Sequence, residues 1–124
     1  MFYSLLSVFI GGGTGSLLRF IIGLSIKPFF PNFPVHTLVA NILASIVFSL
    51  FYFNPKLFNL FSLKHELILA GFCGGLSTFS AFSFENFTLI NEKKILLAVL
   101  NIFINVVFCL AVFLFFNSKK QGVS

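Results

Sequence analysis

Apolar residues gather into four long stretches, residues 3–24, 35–53, 67–90 and 95–116, separated by short connections rich in proline, asparagine and lysine. About 20 apolar residues at about 1.5 Å rise each cross the hydrocarbon of a bilayer, so each stretch is long enough to span one. The pattern predicts an all-α membrane protein with four transmembrane helices. Those spans and their links nearly exhaust residues 1–124, which makes one domain and leaves no room for a soluble one. Phe2 onward lacks a basic start and a small-residue cleavage site, and is expected to be the first span rather than a cleaved leader. The connection KPFFPNFP, residues 27–34, holds three prolines in eight positions and forbids a continuing helix. Asn54-Pro55-Lys56 ends the second span, and a phenylalanine-rich link follows to Lys64.

The polar positions inside the spans are patterned. In the third, the run from Gly71 to Ser83 (GFCGGLSTFSAFS) puts adjacent glycines ahead of small hydroxyls and phenylalanines. Each glycine costs roughly 1 kcal/mol against alanine in a helix interior, so a break is expected at Gly74-Gly75. Freed peptide groups at such a break survive in hydrocarbon only where they face protein or a watery path, and they often hold ions. In the second span Thr37, Asn41, Ser45 and Ser49 recur every fourth residue and share one polar face. Asn101, Asn105 and Cys109 repeat that spacing in the fourth. The first span carries Gly11-Gly12-Gly13-Thr14-Gly15-Ser16 and then Arg19. Glycines four apart, Gly11 and Gly15, let another helix approach to backbone contact. A phosphate loop is excluded, because no Lys-Ser/Thr follows the run.

Composition agrees with this reading. The chain is 58% hydrophobic and 9% charged, with a mean hydropathy of +1.06, too little polar surface for a soluble globule. A net charge of +5 would suggest nucleic acid in a soluble protein, but here the lysines cluster at span ends, where lipid headgroups are their partners. Four spans put Lys56, Lys64, Lys119 and Lys120 on one side and Lys27, Lys93 and Lys94 on the other. Orientation follows a cationic excess on the cytoplasmic side, so a near tie predicts insertion both ways and antiparallel pairing. Cys73 and Cys109 make no metal-ligand pattern and are expected to be small packing residues.

Polar groups inside a bilayer invite a functional reading, with helix gluing or snorkelling as the competing one. Arg19 lies about five residues, or about 8 Å, from the end of its span, so its long stem either serves a function inside the bilayer or simply reaches the headgroups. Asn41 is either a ligand or interhelical glue, while Asn101 and Asn105 are expected to pack or line rather than bind directly. Phe79 and Phe82 stand among 21 phenylalanines, most of which must face lipid or core. Their place after the glycines and beside hydroxyls would let the positive ring edge face a small anion. His36 and His65 fall at span ends and are expected at the interface. Asn86-Phe87-Thr88 matches a glycosylation acceptor, which inside a span reads as chance.

Together, GGGTGSLLRF in the first span, HTLVAN in the second and GFCGGLSTFSAFS in the third resemble the CrcB, or Fluc, family of fluoride channels. The resemblance implies an antiparallel dual-topology dimer with two narrow pores, in a bacterial plasma or inner membrane. Phe79 and Phe82 would offer ring edges to fluoride and Asn41 an amide donor. Main-chain carbonyls of Gly74 and Ser77 from both subunits would hold a structural Na⁺ at the dimer centre. Arg19 would draw anions in, and Thr37, Ser80, Ser83 and Glu85 would belong to the polar lining. The chain departs from the family pattern at Ser77 and Ala81, where threonine is usual, and at His36, where glycine is. It departs also at Asn101 and Asn105, where tyrosine and serine are typical. Some family members form two-gene pairs, so the dimer is either a homodimer or a heterodimer with a sister chain.

The leading function is therefore passive export of fluoride, with no enzyme chemistry. The rivals are a small dual-topology multidrug exporter, for which Glu85 would be the only spanning carboxylate, and a partner subunit active only in a heterodimer.

Overall fold

The computed structural model describes residues 1–59, 62–63 and 65–123. Among them are four helical segments long and apolar enough to cross a membrane: Phe2–Phe29, Val35–Phe53, His65–Asn91 and Ile95–Gly122. The chain is an all-helical, multi-pass membrane protein. Helix α1 covers Phe2–Ile26 and ends in a 3-10 turn, Lys27–Phe29, just before the proline-rich connection. Helix α2 is Val35–Phe53, with bounds equal to those read from the sequence. A short helix, α3 (Pro55–Phe58), follows, with proline in its first turn and the Asn54 side chain accepting from the backbone N–H groups of Lys56 and Leu57. Lys64, counted in the charge balance, lies outside the described residues.

The third segment starts as a π-helix, His65–Cys73, and continues as α4 (Gly74–Leu76) and α5 (Ser80–Asn91). The expected break at Gly74-Gly75 is not where the chain departs from helical geometry. Both glycines are helical, and the backbone turns extended at Ser77, with φ −76° and ψ 156°. Gly75, with Gly71 one turn before it, has another use, whereas Gly74 stands open. A Cβ at Gly75 would strike the backbone of Gly12, and one at Gly71 would come within 3.0 Å of the Gly11 Cα. Their cost in helix propensity is offset by backbone contact with α1.

The same seam explains the first-span glycines. A Cβ on Gly11 would meet the Leu67 carbonyl and the Phe72 nitrogen, and one on Gly15 the Phe72 carbonyl and the Leu76 nitrogen. Close helix packing, expected from their spacing, is what they do. Gly13 points into open space.

Helix α6 runs Ile95–Val123, seven residues past the expected end at residue 116, and carries Lys119-Lys120 on its last turns with the Lys119 ammonium 4.8 Å from the Phe115 ring centre. Between α5 and α6, Lys93 takes a left-handed conformation (φ 61°), and the N–H groups of Lys93 and Lys94 return to the carbonyls of Ile90 and Leu89. That pair of bonds closes α5 and reverses the chain. Helix α1 packs along the third segment, and α2 packs along α6. Where the two pairs meet, Ala40, Ala44, Cys73 and Leu76 form the buried core, flanked by Leu18, Ile22, Val47 and Phe72. Cys73 is thus the packing residue expected, and both cysteines are free thiols.

Candidate functional site

Where the backbone leaves α4, its polar groups find side-chain partners from other spans. The Thr78 N–H donates to Asn41 Oδ1 at 2.9 Å, instead of to the carbonyl of Gly74 that a continuing helix would offer. The Ser77 hydroxyl and N–H both donate to the Cys73 carbonyl, which closes the end of α4. On the far side, the Thr78 hydroxyl accepts from the Ala81 N–H at 3.2 Å and so satisfies a donor in the first turn of α5. The interruption is thus pinned to the middle of α2 by one asparagine.

Asn41, Ser45, Ser77, Thr78, Phe79, Phe82, Asn105 and Cys109 line one cavity of about 300 Å³. Its wall joins α2, α6 and the start of α5. The Phe79 and Phe82 rings lie 5.8 Å apart between centres and are tilted by 45° to each other. Phe82 is buried, whereas Phe79 is 79% exposed on the single chain, at the mouth of the cavity. Three of the sequence-derived residues, Asn41, Phe79 and Phe82, are therefore brought together.

One turn toward the start of α2, Thr37 donates to Glu85 Oε1 at 2.5 Å, and His36 Nε2 lies 3.2 Å from the same oxygen. Thr37 is fully buried. His36 and Glu85 line a second cavity, of about 330 Å³, together with Lys27, Thr88, Glu92 and Lys94, while Thr37 stays behind its wall. Because one helical turn separates Thr37 from Asn41 and another separates Phe82 from Glu85, the two polar clusters follow one another along the α2–α5 groove.

The other named residues lie elsewhere. Arg19 Nε donates to the Gly75 carbonyl at 3.0 Å, tying α1 to α4, and Arg19 lines neither cavity. Ser80 and Ser83 sit on the exposed side of α5, Ser80 within 3.5 Å of the Thr78 hydroxyl. Gly74 is exposed, with nothing within 4 Å of where its Cβ would be, and Ser77 is half-buried beside it.

Two residues have partners on other spans that their sequence neighbours do not reveal. His36 stands in the first turn of α2, at the span end expected for it, and its Nε2 also engages Glu85. The signal was present in the topology, since the start of the second span and the end of the third fall on the same membrane side. Asn86, whose match to a glycosylation acceptor reads as chance, is buried and accepts from Asn101 Nδ2 at 2.9 Å. A buried asparagine five residues before the end of a span was itself a sign of a polar partner.

A family model described as CrcB-like protein, Camphor Resistance (CrcB), matches residues 6–116. The chain is 42% identical over 107 residues to a protein of Klebsiella pneumoniae named "Fluoride-specific ion channel FluC", which covers 85% of this chain and 84% of the relative. It is 40% identical over 106 residues, with the same shares covered, to proteins of that name in Escherichia coli and Shigella boydii.

Proposed function

The chain belongs to the CrcB family, and from that premise we propose that it is a passive, fluoride-specific ion channel. The observation that carries the reading is the convergence of Asn41, Phe79 and Phe82 on one cavity, at the point where the third span leaves helical geometry. Fluoride is small and tightly hydrated. A pore that passes it must replace water with amide N–H groups, hydroxyls and positive ring edges, and stay too narrow for chloride. Asn41 Nδ2, Phe79 and Phe82 supply such groups in the first cavity, and Glu85, held by Thr37 behind it, continues the polar path in the second. Ser80 and Ser83 line the route when a second copy covers the exposed side of α5, and Arg19 adds positive field beside it. Fluoride that enters the cell as neutral HF would then leave down its electrochemical gradient.

The working unit in this proposal is an antiparallel, dual-topology dimer in a bacterial plasma or inner membrane, made with a second copy or a sister chain. Its support is the near tie of flanking lysines and the exposure of Phe79 and Gly74 on the single chain. A structural Na⁺ fits the same face. The Gly74 carbonyl loses its helical donor because the Thr78 N–H is committed to Asn41, and Ser77 is extended, so both oxygens are turned from regular helix bonding. Carbonyls of Gly74 and Ser77 from two chains would hold the ion, whose charge would add a favourable field and link the subunits.

A fluoride electrode recording efflux from Na⁺-containing liposomes with purified protein tests the proposal. Flux well above empty liposomes is expected, and none would reject the homomeric channel. The exporter alternative requires a carboxylate deep in the membrane. Glu85 instead sits beside the first turn of α2 and the loop residues of the second cavity. Loss of cationic-dye resistance in Glu85→Gln, with fluoride tolerance intact, would favour the exporter.

A further inference from the structure

Four asparagines from three spans form one continuous chain of hydrogen bonds. It starts at the Thr78 N–H, which donates to Asn41 Oδ1. Asn41 Nδ2 donates to Asn105 Oδ1 at 3.1 Å. Asn105 Nδ2 donates to Asn101 Oδ1 and to the Asn101 carbonyl, both at 2.9 Å. Asn101 Nδ2 donates to Asn86 Oδ1, also at 2.9 Å. Asn86, Asn101 and Asn105 are 6%, 0% and 5% exposed, so water does not compete for these bonds.

The chain has a direction. A side-chain amide offers an acceptor at one end and two donors at the other, whereas a backbone N–H can only donate. Thr78 therefore decides that Asn41 turns its oxygen toward the interruption and its nitrogen toward Asn105. Asn105 must answer with oxygen, and the same choice passes to Asn101 and Asn86. Reversing one member would set donor against donor or oxygen against oxygen in a dry interior, with the full penalty of unmade hydrogen bonds.

The counting of hydrogens separates ligand from support. Both Asn105 amide hydrogens are engaged by Asn101, and its oxygen is engaged by Asn41. Asn105 lines the cavity yet has no donor left for an anion. Asn41 uses one amide hydrogen on Asn105 and keeps the second for the cavity it shares with Phe79 and Phe82. We propose that Asn105, backed by Asn101, is a positioning residue that holds the Asn41 amide with its free N–H toward fluoride and does not itself bind the ion. The proposal rests on the fluoride reading above.

Liposome efflux and side-chain ¹H–¹⁵N spectra of the full-length protein test it. Asn105→Leu removes the acceptor and is expected to slow efflux about tenfold, within the range of coupling between neighbouring side chains. In Asn105→Ser the hydroxyl can accept from Asn41 while donating to the Asn101 carbonyl, and efflux is expected to stay within about threefold of wild type. Asn41→Ala combined with Asn105→Leu is expected to be no slower than Asn41→Ala alone. The Asn41 amide proton bonded to Asn105 is expected to shift upfield, toward the position of an unbonded side-chain amide, in Asn105→Leu, while the two protons stay distinct because rotation about the amide C–N bond is slow. Wild-type efflux in Asn105→Leu, an equal loss in Asn105→Ser, or multiplying losses in the double variant would overturn the positioning role, the last by making Asn105 an independent ligand. Should Asn105→Leu not fold, Asn105→Ala carries the same expectations. Absence of efflux from the wild type would reject the homomeric channel instead, and the amide spectra would still decide whether Asn105 orients Asn41.

Discussion

Two seams hold the four spans together, and they work in opposite ways. Between α1 and the third segment, Gly11, Gly15, Gly71 and Gly75 remove side chains so that backbone meets backbone. Between α2, α5 and α6, Asn41, Asn86, Asn101 and Asn105 add side chains whose amides bond in one direction. Lipid tails are as apolar as leucine, so helices in a bilayer associate through close packing and hydrogen bonds rather than hydrophobic drive. The glycine seam uses the first and sets a distance. The asparagine seam uses the second and sets an orientation, which is what an anion site requires of its donors.

The glycine seam should be the less forgiving. Gly15→Val is expected to destabilise the protein by about 3 kcal/mol or more, because the new carbons fall on the Phe72 carbonyl and Leu76 nitrogen and neither backbone can yield cheaply. Loss of the monodisperse peak on size exclusion would report it, and a normally folded Gly15→Val would mean the seam is looser than described. On the other seam, Phe79→Ile is expected to leave the fold and the proposed dimer intact and to lower fluoride efflux on the order of tenfold, equivalent to about 1.4 kcal/mol. Normal conduction in that variant would remove the ring-edge role. Between these, Gly74→Trp tests whether the exposed end of α4 faces a second copy. Crosslinking or Na⁺ dependence of assembly is expected to weaken while helix content by circular dichroism holds, since the position is open on the single chain. The smallest effect belongs to Gly13→Ala, which touches nothing within 4 Å and is expected to stabilise by up to about 1 kcal/mol through helix propensity, read as a rise in Tm. A loss of stability there would extend the seam to a third face of α1.

Much of this architecture was legible because bilayer constraints act on local sequence. Span number and the bounds of α2 follow from apolar length, and the rows Thr37–Asn41–Ser45–Ser49 and Asn101–Asn105–Cys109 follow from helical spacing. Both rows do turn inward: Thr37, Ser49, Asn101 and Asn105 are buried. The position of the helix departure was not legible in the same way. Glycine pairs weaken a helix, but whether they unwind it depends on what lies against them, and α1 lies against Gly75. The departure falls instead at Ser77–Phe79, where Asn41 can take the released Thr78 N–H. The bonds of His36 and Asn86 are not legible from either residue alone, because their partners Glu85 and Asn101 lie on other spans or turns.

The sequence by itself determined a four-span helical membrane protein, the glycine spacing that lets α1 touch a neighbour, and the polar faces of α2 and α6. It carried as well, through its motifs, the resemblance to the family to which the chain belongs. These are properties of composition and of a single helix, and helical period and membrane thickness are enough to read them. Only the tertiary structure decided which glycines pack and which stand open, which carbonyl loses its donor, and that Asn41, Asn105, Asn101 and Asn86 bond in one order. Hydrogen-bond direction is a relation between spans, and no residue's own neighbours along the chain contain it.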